Sequence, residues 1–436
     1  MSFRRALGPF DATMVVNGGI IGSGIFINPY LVAQTVASPA AVLSAWAAGG
    51  VVALVGALAY GELGQRMPKA GGQYAYLGHA WHPVIGFLYG WALLLMIETG
   101  AMAAVAIAFA DYTLRIVGHT GANPRPLAIA ALVLLSVVNY LGVKPGSRLL
   151  NVFVLLKVAT LAVLIGIAFW GPAAADWATA PRDPGAATTF TAFGAALIPI
   201  LFTYGGWQCA NYLAEEMRSP ERDLPRSLLA GTLVVIAVYL LVNVAYLRSL
   251  GHAGLAGTTT PAATAAARWL GPAAEKFVAC AIAISTFGFL DLSILAPTRV
   301  YYAMAADGGF HPAVARLHPR FQTPAAAIVL QSGWAIVLTL TGKYNDLLGT
   351  VVFGDWIFFG LTVASLFVLR RRQGPTRGFQ MPGYPILPAL FVATAAVVVW
   401  SAVHQAPMRS AAGFALLLAG VPVYYYFKSR GTPLPR

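Results

Sequence analysis

Long apolar stretches separated by short polar connectors run along the whole chain. We place them at residues 9–36, 40–63, 83–114, 127–143, 150–171, 189–217, 227–249, 273–303, 324–342, 345–369, 385–403 and 410–427. Most have about 20 residues or more, the length that an α-helix needs to cross a hydrocarbon core about 30 Å thick. The pattern therefore predicts an all-α membrane protein with about twelve transmembrane helices.

Composition and charge support this class. Apolar residues make up 58% of the chain and charged residues only 10%, against about 45–50% and about 25% in soluble domains. The net charge of +13 could indicate a nucleic-acid partner, but 19 of the 28 lysines and arginines fall in connectors on the N-terminal side and 8 on the other. The positive-inside rule then puts both termini in the cytoplasm of a multi-pass cell (inner) membrane protein. The lipid bilayer, not nucleic acid, is the expected partner.

Two of the spans contain unusual glycine clusters. In the first, residues 17–26 (NGGIIGSGIF) hold four glycines; in the sixth, residues 204–207 (YGGW) follow Pro199. Glycine inside a helix is less favourable than alanine by up to about 1 kcal/mol. One interpretation is close packing of helices through small residues. The other is that both helices unwind and bind a ligand with freed backbone groups.

The position of the clusters favours the second interpretation. The chain divides into two similar halves, about 9–171 and about 189–370, followed by two additional helices at about 385–428, and each half begins with a glycine-rich span. Broken helices at corresponding positions mark the binding site of inverted-repeat transporters. We expect one transmembrane transporter domain over 1–436.

The sequence gives no indication of an enzyme. It has no motif for a nucleophile, a phosphate loop or a metal site, so we expect no cofactor and no metal. Its two cysteines, Cys209 and Cys280, both fall within apolar spans and are expected to be small core residues.

Five ordered sets of residues resemble the amino acid–polyamine–organocation superfamily, and within it the L-type amino acid transporter branch. They are residues 19–26 (GIIGSGIF), 60–76 (YGELGQRMPKAGGQYAY), 202–211 with 215–226 (FTYGGWQCAN, EEMRSPERDLPR), 298–302 (TRVYY) and 420–425 (GVPVYY). The resemblance covers essentially the whole chain. It implies a five-plus-five inverted repeat with broken helices 1 and 6 and two C-terminal helices.

By the same resemblance, the chain is a secondary transporter of amino acids that works by alternating access, as a sodium-independent exchanger. The alternatives are a proton-coupled symporter of amino acids, amines or polyamines and, less favoured, a channel. Neither break contains an acidic or basic side chain, so L-amino acids with uncharged side chains are the expected substrates.

The breaks supply the candidate binding residues. Unpaired N–H groups suit an amino-acid carboxylate, and freed carbonyl groups suit its ammonium group. The substrate-binding candidates are Ile21, Gly22, Ser23, Gly24, Phe202, Thr203, Tyr204 and Gly205. Phe202 and Trp207 are the candidate gating residues, Phe202 because relatives carry an aromatic gate there.

Charged residues within spans are unfavourable and need a role. By resemblance, Lys157 occupies the place that sodium holds in sodium-coupled relatives, between the first and eighth helices. There it is expected to hold the half-helix carbonyls near Gly19 and a span-eight hydroxyl such as Ser293, with Asp291 as an alternative partner. The alternative for Lys157 is snorkelling to the interface. Glu98 and Asp355 either line a wet pathway or pair with other polar groups, and the sequence leaves both open.

Eukaryotic relatives attach to a heavy chain through a cysteine in the loop between spans three and four. The corresponding loop, about 115–126, has no cysteine. We therefore expect no disulfide-linked heavy chain.

Overall fold

The computed structural model describes residues 5–119, 121–171, 173–174, 190–271, 273–342 and 344–430. In this part of the chain the regular structure is helical, and the only extended pairing is a single parallel bridge between Leu7 and Met217.

The helices form twelve spans, numbered here in chain order. Span 1 consists of Pro9–Ile20, Gly24–Ile27 and Pro29–Thr35, and span 6 of Phe190–Tyr204 and Cys209–Tyr212. The others are Pro39–Arg66 (span 2), Pro83–Ile116 (span 3), Arg125–Tyr140 (span 4), Val143–Trp170 (span 5), Pro220–Ala256 (span 7), Ala273–Leu295 with Thr298–Ala306 (span 8), Ala325–Thr341 (span 9), Tyr344–Gln373 (span 10), Ile386–Gln405 (span 11) and Pro407–Arg430 (span 12). Short connecting helices are Gln73–Ala80, Ala214–Glu216, Pro261–Leu270 and Pro312–Ala315.

Eight of these helices are long and apolar enough to cross a membrane, and spans 4 and 9 are shorter apolar helices. Together with the two broken spans this gives twelve, so the prediction of about twelve transmembrane helices is confirmed. The division into two repeats stays a prediction.

Local sequence explains where several spans begin. Proline is the first helical residue of spans 2, 3 and 7, a position whose N–H group has no partner within the helix. Before span 2, the hydroxyl oxygen of Ser38 accepts a hydrogen bond from the N–H of Ala41. That contact satisfies one of the free donors of the first turn.

The broken spans lie between two groups of helices. Span 7 packs against spans 1 and 2, whereas span 3 packs against spans 8, 9 and 10. Span 1 contacts spans 5, 7 and 8, and span 6 contacts span 2. Large apolar side chains on the outside of spans 4, 5, 11 and 12 are exposed, among them Leu134, Leu155, Trp400 and Leu418. This places the breaks in the interior and an apolar surface toward lipid.

Candidate functional site

Span 1 is interrupted by the glycine-rich segment. The first helix ends at Ile20, the backbone of Ile21 is extended, and the helix resumes at Gly24. The N–H of Ile21 still donates to Asn17. The N–H groups of Gly22, Ser23 and Gly24 make no hydrogen bond to any residue that the structure describes.

Span 6 is interrupted at the matching position. Its first helix ends at Tyr204, and Gly206 has φ of +116°, a conformation that favours glycine. The side-chain oxygen of Gln208 accepts a hydrogen bond from the Gly206 N–H at 3.0 Å, and the helix resumes at Cys209. A Cβ atom on Gly206 would meet the carbonyl group of Gly19. The two breaks therefore touch through their backbones, which explains glycine on both sides of the contact.

Lys157 is fully buried and contacts the back of the first break. Its ammonium nitrogen donates to the carbonyl oxygens of Gly18 at 3.1 Å and Ile21 at 2.6 Å. Snorkelling is thereby excluded for this side chain. The expected partners on span 8 are elsewhere: Ser293 lies beside Glu98, and the side chain of Asp291 accepts a hydrogen bond from Asn139 at 2.7 Å. Lys157, Ser293 and Asp291 thus have separate partners and do not form the cluster that the resemblance implied.

Two hydroxyl groups that the sequence did not single out stabilise the breaks. The Ser285 hydroxyl of span 8 donates to the Gly22 carbonyl at 3.1 Å. The buried Tyr239 hydroxyl of span 7 lies 3.0 Å from the carbonyl oxygen of Ile20 and 3.3 Å from that of Thr203, and so connects the two breaks. A tyrosine and a serine in the middle of apolar spans were the signal that could have identified them.

A cavity of about 80 Å³ lies between the breaks. Of the predicted binding residues, six line it: Gly22, Ser23, Gly24, Phe202, Thr203 and Gly205. Ile21 and Tyr204 are not among the lining residues. Tyr204 packs instead against Trp46 and Tyr239, so only its backbone remains a candidate for substrate contact.

The two predicted gating residues have different positions. Phe202 lines the central cavity and also a second cavity of about 560 Å³, which extends past Thr35 to Arg409. Together with Val352, it therefore lies where the central cavity adjoins the second cavity. Trp207 does not line either cavity. It packs against Tyr60 and Phe359, a core position that gives no support to a gating role in this conformation.

Glu98 of span 3 and Asp355 of span 10 both line the central cavity. Glu98 also forms a hydrogen bond with the Ser293 side chain, so for this residue both alternatives that the sequence left open apply. The breaks themselves carry no charged side chain, as the sequence indicated, and the two carboxyl groups of the cavity come from the neighbouring spans.

On the other side of the cavity, buried polar contacts join the end of span 6 to its neighbours. Glu216 forms an ion pair with Arg299 of span 8 at 2.7 Å, with both side chains buried. The Glu216 carbonyl oxygen accepts hydrogen bonds from the N–H groups of Ala6 and Leu7. Glu215, the other acidic residue here, accepts from the N–H of Ala70.

Two broken helices that meet at a buried central cavity define a multi-pass membrane transporter. The family model described as Amino acid permease matches residues 7–422. The serine/threonine exchanger SteT of Bacillus subtilis is 31% identical over 440 residues, covering 98% of both chains. The human b(0,+)-type amino acid transporter 1 is 31% identical (98% of this chain, 88% of the relative), and the mouse large neutral amino acids transporter small subunit 2 is 30% identical (98% and 81%).

This chain belongs to the amino acid permease family, and the resemblance to the L-type branch is confirmed. Its relatives are transporters, not enzymes.

Proposed function

We propose that this chain exchanges L-amino acids across the cell membrane by alternating access and without sodium. The observation that carries the proposal is the meeting of two backbone breaks at one buried cavity. Free N–H groups at Gly22 to Gly24 face it from span 1, and Phe202, Thr203 and Gly205 face it from span 6.

A zwitterion fits these groups. The N–H groups of the first break suit the carboxylate of the substrate, as at other anion sites built from backbone donors. Carbonyl oxygens at the two breaks have a second lone pair available for the ammonium group. This arrangement recognises the part that all amino acids share.

Lys157 supports sodium independence. Its ammonium group already donates to the carbonyl oxygens of Gly18 and Ile21, which are the kind of ligand that a bound sodium ion would take. These two hydrogen bonds stabilise the end of the first half-helix, whose last carbonyl groups have no partner within the helix.

Exchange is the mode named for one relative, the serine/threonine exchanger. The names of this relative and of the large neutral amino acids transporter favour uncharged side chains, whereas the two carboxyl groups of the cavity favour a side chain that brings a positive charge.

We further propose that the chain works as a single polypeptide in the inner membrane, with both termini in the cytoplasm.

Recognition of the zwitterion is tested by competition. Purified protein in liposomes loaded with an amino-acid mixture is given a labelled substrate together with an L-amino acid, its amide or its N-acetyl derivative. We expect the parent amino acid to compete and both derivatives to lose at least about ten-fold in potency, equivalent to about 1.4 kcal/mol. Equal competition by all three would show that the backbone groups do not hold the zwitterion.

A further inference from the structure

Glu98 and Asp355 reach the central cavity from outside the broken helices. Glu98 is only 7% exposed and Asp355 is partly buried. They lie on spans 3 and 10, which pack against each other. Among the described residues that line the cavity there is no lysine, arginine or histidine. Glu98 has the Ser293 side chain as a neutral hydrogen-bond partner, and no described cationic side chain within the cavity offsets the two carboxyl groups.

The local helix geometry of span 3 determines the direction in which the Glu98 side chain points. Leu93–Ile97 form a π-helical turn that ends directly before Glu98, and the Thr99 hydroxyl donates to the Leu94 carbonyl across it. A π-helical turn contains an extra residue and so rotates the following helix face. The turn thus changes which face of span 3 carries the carboxyl group.

The remaining wall is mostly apolar. Ile97, Val352, Trp356 and Phe359 line the cavity beside the carboxyl groups. A carboxylate in such surroundings is unfavourable unless a positive charge or a proton accompanies it. Lys157 does not fill that role, since its ammonium group is held by backbone carbonyls of span 1 and does not line the cavity.

The charged backbone groups of an amino-acid substrate do not supply the positive charge that the two carboxyl groups require either. A zwitterion carries no net charge, and the breaks already provide for both of its charged ends. With the zwitterion held by the breaks, the two carboxyl groups would be left to the part of the substrate beyond its α-carbon. That the cavity takes a ligand at all follows independently from the free N–H groups of Gly22 to Gly24.

We propose that Glu98 and Asp355 form a subsite for the positively charged end of a substrate side chain, so that the carrier prefers L-amino acids with an amino group on a short side chain. This inference rests on the proposed function. The small cavity, about 80 Å³, favours short diamino acids such as 2,3-diaminopropionate and 2,4-diaminobutyrate over lysine.

Matched substrates test the preference. In the exchange assay, 2,3-diaminopropionate is compared with serine and 2,4-diaminobutyrate with homoserine, since each pair differs mainly in an amino or hydroxyl group. We expect the diamino acid to compete at least about ten-fold better, equivalent to about 1.4 kcal/mol. Glu98→Gln and Asp355→Asn should remove this advantage, while Glu221→Gln, an exposed carboxyl group outside the cavity, should leave it unchanged.

Cys209 provides a readout that does not require transport. It lines the same cavity, and Cys280, the other cysteine of the chain, is replaced by alanine for this experiment. The thiol is labelled with 2-aminoethyl methanethiosulfonate, a cation, and 2-sulfonatoethyl methanethiosulfonate, an anion, and each rate is divided by the rate of the same reagent with a free thiol. We expect labelling to favour the cation by about ten-fold or more, and Glu98→Gln to reduce that ratio.

The outcomes separate the two proposals. Labelling that no amino acid slows would contradict the proposed function itself. Protection by serine and 2,3-diaminopropionate alike, with equal normalised rates for both reagents, would overturn the subsite alone. Loss in the carboxyl variants of a pH-dependent uptake of neutral amino acids would assign the pair to a proton and would also overturn it.

Discussion

The contact between the two breaks makes Gly206→Ala the most informative single substitution. Gly206 has φ of +116°, and a Cβ atom there would meet the carbonyl group of Gly19 and approach the nitrogen of Ile20 to 3.0 Å. Both neighbours are backbone atoms of the other break, so no side-chain rotation can relieve the clash.

The expected effect is large. A residue with a side chain in such a backbone conformation carries about 1–3 kcal/mol of strain, and the clash with Gly19 adds to it. Even about 1.4 kcal/mol lowers the equilibrium constant for forming the binding-competent arrangement ten-fold. We therefore expect Gly206→Ala to reduce exchange by at least about ten-fold.

The assay measures exchange in liposomes, with the amount of folded protein determined by size-exclusion chromatography. Gly166→Ala is the matched control, because Gly166 lies within the helix of span 5 and a Cβ atom there would have no neighbour within 4 Å. We expect the control to exchange at the wild-type rate. Wild-type exchange by Gly206→Ala would refute the view that the two breaks must touch.

Three further substitutions test individual contacts. Lys157→Met leaves two buried carbonyl groups without their donor, at about 1–3 kcal/mol each, and should reduce exchange at least about ten-fold; a normal exchange rate would contradict this role. Ser285→Ala removes one hydrogen bond to Gly22, worth about 1 kcal/mol, and should raise the KM about five-fold, whereas an unchanged KM would show that the contact is dispensable. Phe202→Ala joins the central cavity to the second one and should raise the KM for external substrate and the efflux into substrate-free buffer; unchanged values for both would show that Phe202 is not a gate.

The breaks could be predicted from the sequence because their cause is local. Glycines at 18, 19, 22 and 24 and at 205 and 206 each lower the local helix propensity, independently of the surrounding fold. The structure confirms both interruptions, and the contact of Lys157 with the first break follows the family resemblance.

The partners of the breaks could not be predicted, because they depend on the depth and rotation of neighbouring helices. Ser285 and Ser293 are on the same span but eight residues apart, or about 12 Å along a helix. Only Ser285 reaches the first break. The turn at Gly206 likewise determines that the Trp207 side chain packs into the core, and the sequence does not specify the φ angle of that turn.

Glu98 shows the same limit. Its direction follows a π-helical turn at Leu93–Ile97, and that stretch, LLLMI, is apolar like the rest of the span. A hydrophobic pattern with 3.6 residues per turn does not reveal where a helix contains the extra residue of a π-helical turn. The sequence thus identified the charge but not the cavity that it faces.

Exchange of amino acids by this chain alone and without sodium can be measured with the purified protein. The most direct measurement is uptake of a labelled L-amino acid mixture by liposomes containing only the purified chain, with or without internal amino acids, in sodium or choline buffer. We expect uptake that requires internal amino acid and is the same in both buffers. Uptake that is equally fast into empty liposomes, or that falls several-fold in choline, would contradict it.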